Sequence, residues 1–348
     1  MRGKLVNVTL LIGSVIFSLL AIEIGLRAYK GEWRYINFRF PEGNWFEANH
    51  PVSYDAELGW APKPDVRASI LGTTVTILEG GIRSNGREKV WDGTGDPILA
   101  VGDSYTFGDQ VSDWETWPAQ LEELIGRKVI NAGVFGYGID QAFLRAQRLL
   151  SRYRFSTVIL SFIPDDIRRC QMSANYGRAK SYFDLRDGRL ILENVPVPLP
   201  PPLPRENVLL VSVEHSLLVH TVMKRLFLKW WLGPAWEIQA HEKEKGNKIA
   251  CGLLHELEAL TRSRGSELIV LVEHGNWEGA TDSTAVKNVL SCLSDPATRV
   301  LDLEPALSEL KAKDRSRYDR LYHSSGGHMT AEGNQFVAQE IFPILTER

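Results

Sequence analysis

The chain has 348 residues, of which 44% are hydrophobic, 24% charged and 9% aromatic. This composition is that of an ordinary globular protein of about two domains, or one enlarged α/β domain, and it excludes a wholly disordered, collagen-like or coiled-coil chain. With 40 basic and 43 acidic residues the net charge is −3. Since there is no excess of positive charge, we expect no nucleic-acid partner.

The first predicted element is an apolar helix at the N-terminus. Residues 5–22 carry no charge, and Arg2 and Lys4 precede them. At about 1.5 Å per helical residue the run extends roughly 27 Å, close to the thickness of the hydrocarbon layer of a bilayer. No small-x-small cleavage site follows it, so we predict an uncleaved membrane anchor over residues 1–28. A cleaved signal peptide and a buried helix of a soluble protein are the alternatives.

The sequence only weakly determines on which side of the membrane the bulk of the chain lies, because basic residues flank both ends of the apolar run. An anchor this close to the N-terminus favours a chain whose bulk lies outside the cytoplasm, in the periplasm or at the cell surface. Residues 29–95 are rich in Trp, Gly, Pro and Asn and are interpreted as a linker with a few short strands.

From residue 97 onward short apolar runs alternate with helical patterns. Thr116 and Asp140 are predicted to cap two of the helices, and Pro343 to end the last one. This alternation predicts a three-layer α/β/α fold with a five-stranded parallel sheet covered on both faces. The predicted strands are residues 97–101, 129–130, 157–163, 267–272 and 299–303.

The alternation is interrupted over about residues 170–245. Residues 196–204 are dominated by proline and predict an extended polyproline stretch. Residues 209–231 predict a helix that either covers the core, the interpretation we favour, or touches a membrane surface. The three cysteines, Cys170, Cys251 and Cys292, are too few for a disulfide scaffold and too scattered for a zinc site, so we expect small buried apolar residues.

Several candidate functional groups follow the predicted strands. In parallel sheets of this kind, ligands bind just beyond the carboxyl ends of the strands. Ser104 follows the first strand between two glycines, Gly136 lies in the loop after the second, and Asp165 and Asp166 follow the third. His328 lies in a glycine-rich loop before the last helix. A serine, backbone N–H donors and a histidine that converge at one edge are suited to acyl transfer.

Four segments resemble, in order, the sequence blocks of the SGNH (GDSL-type) esterase family. They are GDSYTFG from residue 102, NAGVFGYG from 131, FIPDDI from 162 and SSGGHMTAEGN from 324. The resemblance covers about residues 97–345 and implies a flavodoxin-like SGNH hydrolase domain over residues 96–348. The layout of the whole chain also resembles bacterial members of the family in which a membrane anchor precedes the esterase domain. The resemblance also implies that Ser104 is the nucleophile, that the N–H groups of Ser104 and Gly136 bind the oxyanion, and that His328 is the general base.

Two positions depart from the family pattern. Asp165 stands where the family has an asparagine that donates to the oxyanion, and an ionised carboxylate only accepts hydrogen bonds. It could donate if burial held it protonated. Ser325 stands where the family has the aspartate that supports the histidine. Another carboxylate could take this role, and Asp302, Asp314 and Asp319 are the candidates.

The sequence therefore predicts a membrane-anchored serine esterase or acyltransferase. Its substrate would be an ester, with O-acetyl groups of a cell-envelope glycan as one candidate. The membrane would be its partner, held through the N-terminal helix. The alternatives are a catalytically impaired SGNH-fold binding or assembly module and a membrane-bound structural subunit. We expect no metal and no cofactor, because His323 and His328 have no Cys or clustered carboxylate to complete a metal site.

Overall fold

The computed structural model describes most of the chain. The described residues are 2–30, 33, 51–70, 72–86, 91–175, 178–199, 213–227, 231, 243–277, 283–323 and 327–346. The chain divides into two compact units, Met1–Trp45 with Pro200–Glu237, and Phe46–Leu199 with Ile238–Arg348.

The larger unit is built on one mixed sheet of eight strands. From edge to edge its strands are β14 (Arg299–Asp302), β13 (Glu267–Val272), β8 (Thr157–Phe162), β6 (Ile98–Val101), β7 (Val129–Asn131), β5 (Ile82–Arg83), β4 (Thr73–Leu78) and β3 (Val66–Ile70). The first five in this order pair in parallel, and β5, β4 and β3 extend the sheet antiparallel. The prediction of a five-stranded parallel sheet was therefore wrong for the sheet as a whole, because residues 66–83 add three strands.

Helices cover both faces of this sheet. They are α2 (Ser104–Phe107), α3 (Trp117–Ile125), α4 (Ile139–Leu150), α5 (Pro164–Arg169), α7 (Lys243–Arg264), α8 (Ser283–Leu290), α9 (Glu304–Lys313), α10 (Arg315–Arg320) and α11 (Ala331–Thr346). Leu99 and Val101 of β6 pack with α4 and α7, while Ile98 and Ala100 pack with α3 and α11. Alternate side chains of a strand point to opposite faces, so β6, which is buried on both, is apolar throughout.

Helix boundaries follow the sequence signals in part. Thr116 caps α3, with its hydroxyl accepting from the N–H of Ala119 at 3.3 Å. Asp140 does not cap α4, which begins after Gly138; its carboxylate is instead buried against the Lys180 ammonium. Pro343 lies inside α11 rather than at its end.

The remaining strands form small antiparallel pairs. They are β1 (Val52–Asp55) with β2 (Gly59–Pro62), β9 (Ala174–Asn175) with β10 (Arg178–Ala179), and β11 (Tyr182–Arg186) with β12 (Arg189–Glu193). A disulfide joins Cys251 in α7 to Cys292 just after α8, while Cys170 is buried and free. The expectation of three unpaired cysteines was therefore wrong for two of them, because the fold brings helices that are distant in sequence side by side.

The smaller unit contains α1 (Arg2–Lys30) and α6 (Leu217–Leu226). The 24 residues Asn7–Lys30 are long and apolar enough to cross a bilayer, a property that a signal sequence shares. Helix α6 packs against α1 and belongs to the same compact unit. That residues 209–231 cover the α/β core stays a prediction, and residues 209–212 and 228–230 of that segment lie outside the described residues.

Candidate active site

Ser104 lies at the start of α2, directly after the carboxyl end of β6. Asp103 caps this short helix, and its carboxylate accepts from the N–H of Tyr105 at 2.9 Å. Gly102 has no space for a side chain, since an added Cβ would lie 2.3 Å from Thr106 Oγ1. The strand and the helix therefore meet in a tight turn, which holds the Ser104 hydroxyl at the edge of the sheet.

His328 meets Ser104 across 224 residues of sequence. Its Nε2 atom lies 2.9 Å from Ser104 Oγ, within hydrogen-bond distance. Tyr105 holds the loop of His328 in this position, because its buried hydroxyl donates to the carbonyl of Gly327 at 2.6 Å. A serine hydroxyl that donates to a histidine nitrogen is the arrangement in which the imidazole can act as general base.

The other ring nitrogen of His328 faces Asp109. Its Nδ1 lies 3.8 Å from Asp109 Oδ2, and among the described residues it makes no hydrogen bond although it is buried. Asp109 reaches this place because α2 ends in a left-handed residue, Gly108, so that the chain turns back and the Asp109 N–H donates to the Ser104 carbonyl at 3.0 Å. Sequence reasoning missed Asp109, because it follows Ser104 in the sequence instead of preceding the histidine.

The three carboxylates considered from the sequence lie elsewhere. Asp302 Oδ1 is 2.7 Å from Nε2 of another histidine, His274. Asp314 caps α10, and Asp319 forms an ion pair with Arg315 at 2.8 Å. Ser325 lies outside the described residues.

The glycine loop after β7, residues 131–138, packs directly on the turn of residues 102–108. We call this turn the nucleophile turn, after the role predicted for Ser104 within it. An added Cβ on Gly133 would lie 2.3 Å from the Phe107 backbone nitrogen, so only glycine permits this approach. The N–H of Val134 donates to the Gly102 carbonyl at 3.0 Å. Gly136 has a φ of +74°, the left-handed region that favours glycine, and its carbonyl accepts from Asn175. The glycine loop is thus fixed beside α2.

Asp165 lies in the first turn of α5, where two arginines hold it. Its oxygens accept from Arg168 Nε at 2.8 Å and Arg169 Nε at 3.0 Å. Burial alone would raise the pKa of Asp165, but the charges and hydrogen bonds of the two arginines lower it overall. The ionised form is therefore favoured, and the possibility of a protonated, donating Asp165 loses support.

Arg169 connects three of the four segments that resemble the family blocks. Its Nη1 donates to the carbonyl of Tyr137 at 3.0 Å and to Asp166 at 2.7 Å, and lies 3.8 Å from Asp103. Burial raises the pKa values of both Asp103 and Asp166, and Arg169 opposes this in each case. One buried guanidinium thus holds the nucleophile turn, the glycine loop and α5 in a common arrangement.

A second arginine supports the nucleophile turn from the antiparallel part of the sheet. Arg83 of β5 is buried, and it donates to the carbonyls of Phe107 and Val111, each at 2.6 Å. The backbone around Ser104 therefore depends on a strand in the segment that the sequence predicts as a linker. No sequence signal marked this residue.

An exposed aromatic ring flanks the pair formed by Ser104 and His328. Trp277 follows β13 and is 41% exposed. Its ring lies over Gly275 and Gly327, where an added Cβ would come within 1.7 Å and 2.6 Å of ring atoms. The ring centroid of Tyr105 is 6.5 Å from that of Trp277 and 5.4 Å from that of His328. Among the described residues no group of three His, Cys, Asp or Glu side chains could hold a metal ion.

Solved structures similar to this one include G-D-S-L family proteins and esterases. A G-D-S-L family protein from Desulfitobacterium hafniense DCB-2 is 13% identical, with 72% of this chain and 99% of that chain covered and a TM-score of 0.39. An acetylxylan esterase from Geobacillus stearothermophilus is 13% identical, with coverages of 74% and 96% and a TM-score of 0.42. The acetyl xylan esterase AlAXEase is 12% identical, with coverages of 72% and 99% and a TM-score of 0.42.

No protein-family model matches the sequence. No curated protein matches it either.

Proposed function

We propose that the chain is a membrane-anchored serine esterase that acts on acyl esters, with O-acetyl groups of a cell-envelope glycan as its substrate class. The observation that carries this proposal is the 2.9 Å contact between Ser104 Oγ and His328 Nε2 at the edge of the sheet. A buried serine in contact with a histidine is ready to be deprotonated as it attacks a carbonyl carbon.

The reaction proceeds in two halves. Ser104 Oγ attacks the ester carbonyl while its proton passes to His328 Nε2, and a tetrahedral oxyanion forms. As the intermediate collapses, His328 returns the proton to the leaving alcohol, and the acyl group stays on Ser104. A water then attacks the acyl-enzyme with His328 again as base, which releases the acid. An acyltransferase would differ only in that a second alcohol replaces this water.

The oxyanion donors follow from the resemblance. The N–H groups of Ser104 and Gly136 take this role, supported by the close packing of the glycine loop on α2. Asp109 acts on His328 from the other side: its carboxylate stabilises the imidazolium that forms when Nε2 takes the proton. Asp109 is thus a positioning residue that substitutes for the aspartate absent at position 325.

The glycan class is supported by Trp277 beside the catalytic pair. A flat, half-exposed indole offers an apolar face to the ring hydrogens of a sugar, and its N–H offers a hydrogen bond. The extracytoplasmic placement is supported by the disulfide between Cys251 and Cys292, since disulfides persist in oxidising compartments and are rare in the cytosol.

The direct test is labelling of the full-length protein in detergent with a fluorophosphonate probe, together with hydrolysis of p-nitrophenyl acetate. We expect labelling and activity that both disappear in Ser104→Ala and persist in Ser263→Ala, a serine exposed on α7. Absence of labelling of the folded native chain across pH 5 to 9, a range that spans the ordinary pKa of histidine, would reject the esterase. It would favour the SGNH-fold binding or assembly module, for which the replaced positions Asp165 and Ser325 are the motivation.

A further inference from the structure

The contact between α1 and α6 fixes where α6 begins. Glu23 of α1 caps the N-terminus of α6, as its carboxylate accepts from the N–H of Leu217 at 3.0 Å, the N–H of Leu218 at 2.8 Å and the hydroxyl of Ser216 at 2.9 Å. Arg27 of α1 bonds to Glu23 and donates to the carbonyl of His215 at 2.7 Å. Such charge-assisted bonds are stronger than neutral ones.

The position of Glu23 along α1 determines the depth of this contact. Glu23 directly follows the uncharged run of residues 5–22, whose large apolar side chains from residue 8 onward are exposed. If that run occupies the hydrocarbon layer, Glu23 lies at its boundary with the headgroups. The first turn of α6 is then held at the same depth.

Helix α6 is amphipathic, and its apolar side is partly buried at Leu218, Val219 and Met223 and exposed at Val222 and Leu226. Leu218, Val219, Val222, Met223 and Leu226 recur at the spacing of one helix face. Val222 is 44% exposed and Leu226 64% exposed, and Phe227 just beyond the helix is 57% exposed. Lys224 lies on the opposite side of the helix from these residues, Arg225 lies at the edge of the apolar stripe, and both are exposed. Basic residues on the polar face and apolar residues on the other are typical of helices that lie at a lipid surface.

We propose that α6 is an interfacial helix that lies on the bilayer surface, with its apolar stripe in the acyl boundary and its basic side toward the headgroups. This proposal rests on the proposed membrane anchor, since α1 must span the bilayer for Glu23 to mark its edge. The occupant of the stripe is the lipid surface, because the capped first turn of α6 is fixed beside the point where α1 leaves the hydrocarbon. The chain thus contacts the membrane through two elements.

The test uses the full-length chain in nanodiscs that contain anionic lipid, with the environment-sensitive fluorophore NBD on single introduced cysteines. The labelled variants are Ile16→Cys in α1 and, in α6, Leu226→Cys on the apolar stripe and Lys224→Cys on the basic side. The native cysteines do not interfere, since Cys170 is buried and the other two form a disulfide. We expect nitroxide-labelled lipids to quench the probes at 16 and 226, and to quench the probe at 224 much less.

The outcomes separate the interfacial helix from the anchor. A probe at 16 that is quenched while those at 226 and 224 are equally exposed to water overturns the interfacial helix and leaves the anchor standing. A probe at 226 in an apolar environment that lipid nitroxides do not quench shows that protein covers the stripe, which also overturns it. A probe at 16 that is not quenched overturns the anchor and this proposal together. Adding Glu23→Ala should abolish quenching at 226 and preserve it at 16.

Discussion

Asp109 Oδ2 lies 3.8 Å from His328 Nδ1, on the opposite side of the ring from the Ser104 hydroxyl. The carboxylate is close enough to stabilise a positive imidazolium but is not in hydrogen-bond contact in this state. Catalytic hydrogen bonds are often long in unliganded sites and shorten when substrate binds. Ser104, His328 and Asp109 therefore form a Ser–His–Asp arrangement in which the aspartate comes from the nucleophile turn.

Asp109→Asn should lower kcat for p-nitrophenyl acetate by about tenfold to a thousandfold with little change in KM, because the lost charge stabilises a species formed only during the reaction. Steady-state kinetics measure this split, and Asp109→Glu should restore part of the rate. The matched control is Asp302→Asn, whose carboxylate pairs with His274. A loss in the control as large as that in Asp109→Asn would assign the support of His328 to a different carboxylate.

Asp165→Asn should raise kcat/KM for p-nitrophenyl acetate by about tenfold. The ionised carboxylate, whose pKa is lowered by Arg169 and Arg168 against the effect of burial, would repel a developing oxyanion, whereas an amide would donate to it. The gain should be smaller than the ~3–4 kcal/mol typical of a full oxyanion donor, because the arginines lose a partner. Asp184→Asn, another arginine-paired carboxylate, is the control. A decrease in rate in Asp165→Asn contradicts the expectation.

Trp277→Ala should raise KM for an acetylated oligosaccharide by about tenfold, equivalent to ~1.4 kcal/mol of lost binding. The loss on a small ester such as ethyl acetate should be clearly smaller, since that substrate has no sugar ring to place on the indole. Gly275→Ala provides an independent variant that keeps the tryptophan, because its new Cβ would lie 1.7 Å from a ring atom and must displace the ring. Equal losses on both substrates would show that Trp277 supports the fold rather than the sugar.

The sequence predicted the five parallel strands and the proximity of Ser104 and His328, because the signals for them are local. Largely apolar runs mark β8 and β13, since a strand buried on both faces is made mainly of apolar side chains. Ser104 and His328 stand in short segments that resemble family blocks, and the structure brings them into contact. Their general position at the carboxyl ends of parallel strands follows from the fold class.

The supporting residues could not be predicted, because their roles depend on packing between distant segments. Arg83 belongs to a strand of two residues in a glycine-rich region, so neither periodicity nor length identifies it. Asp109 reaches His328 only because the chain reverses at Gly108. Similarly, the spacing of 41 residues between Cys251 and Cys292 indicates no pairing until α7 and the end of α8 lie together.

The buried carboxyl of Glu273 should make the fold less stable as pH rises. Burial raises its pKa to about 8 from an ordinary value of 4.5, while a 2.6 Å hydrogen bond from Ser161 opposes the shift. Between these two values the unfolded chain loses the proton and the folded chain keeps it. The free energy of unfolding therefore falls by up to ~1.4 kcal/mol per pH unit over this window and levels off above it.

Glu273→Gln should remove this part of the pH dependence and raise Tm at pH 8 relative to the native chain. Thermal unfolding from pH 5 to 8 measures both effects, with Glu256→Gln, exposed on α7, as the control. A stability profile of Glu273→Gln that parallels the native profile across the whole range would show that Glu273 is not the titrating group.

The disulfide leads to two predictions, one for the number of reactive thiols and one for the thermal stability of the protein. After denaturation without reductant, exported protein should have one reactive thiol, that of Cys170, and reduction should raise the count to three. Closing a loop of 41 residues is worth about 4 kcal/mol in the chain-entropy account, so Cys251→Ser should lower Tm by several degrees and make it insensitive to reductant. Protein made without the N-terminal helix, and so retained in the cytosol, should show three thiols before reduction. Three thiols in the exported form would remove the support that the disulfide gives to extracytoplasmic placement, and the orientation of α1 would then have to be established by accessibility of the α/β unit in intact cells.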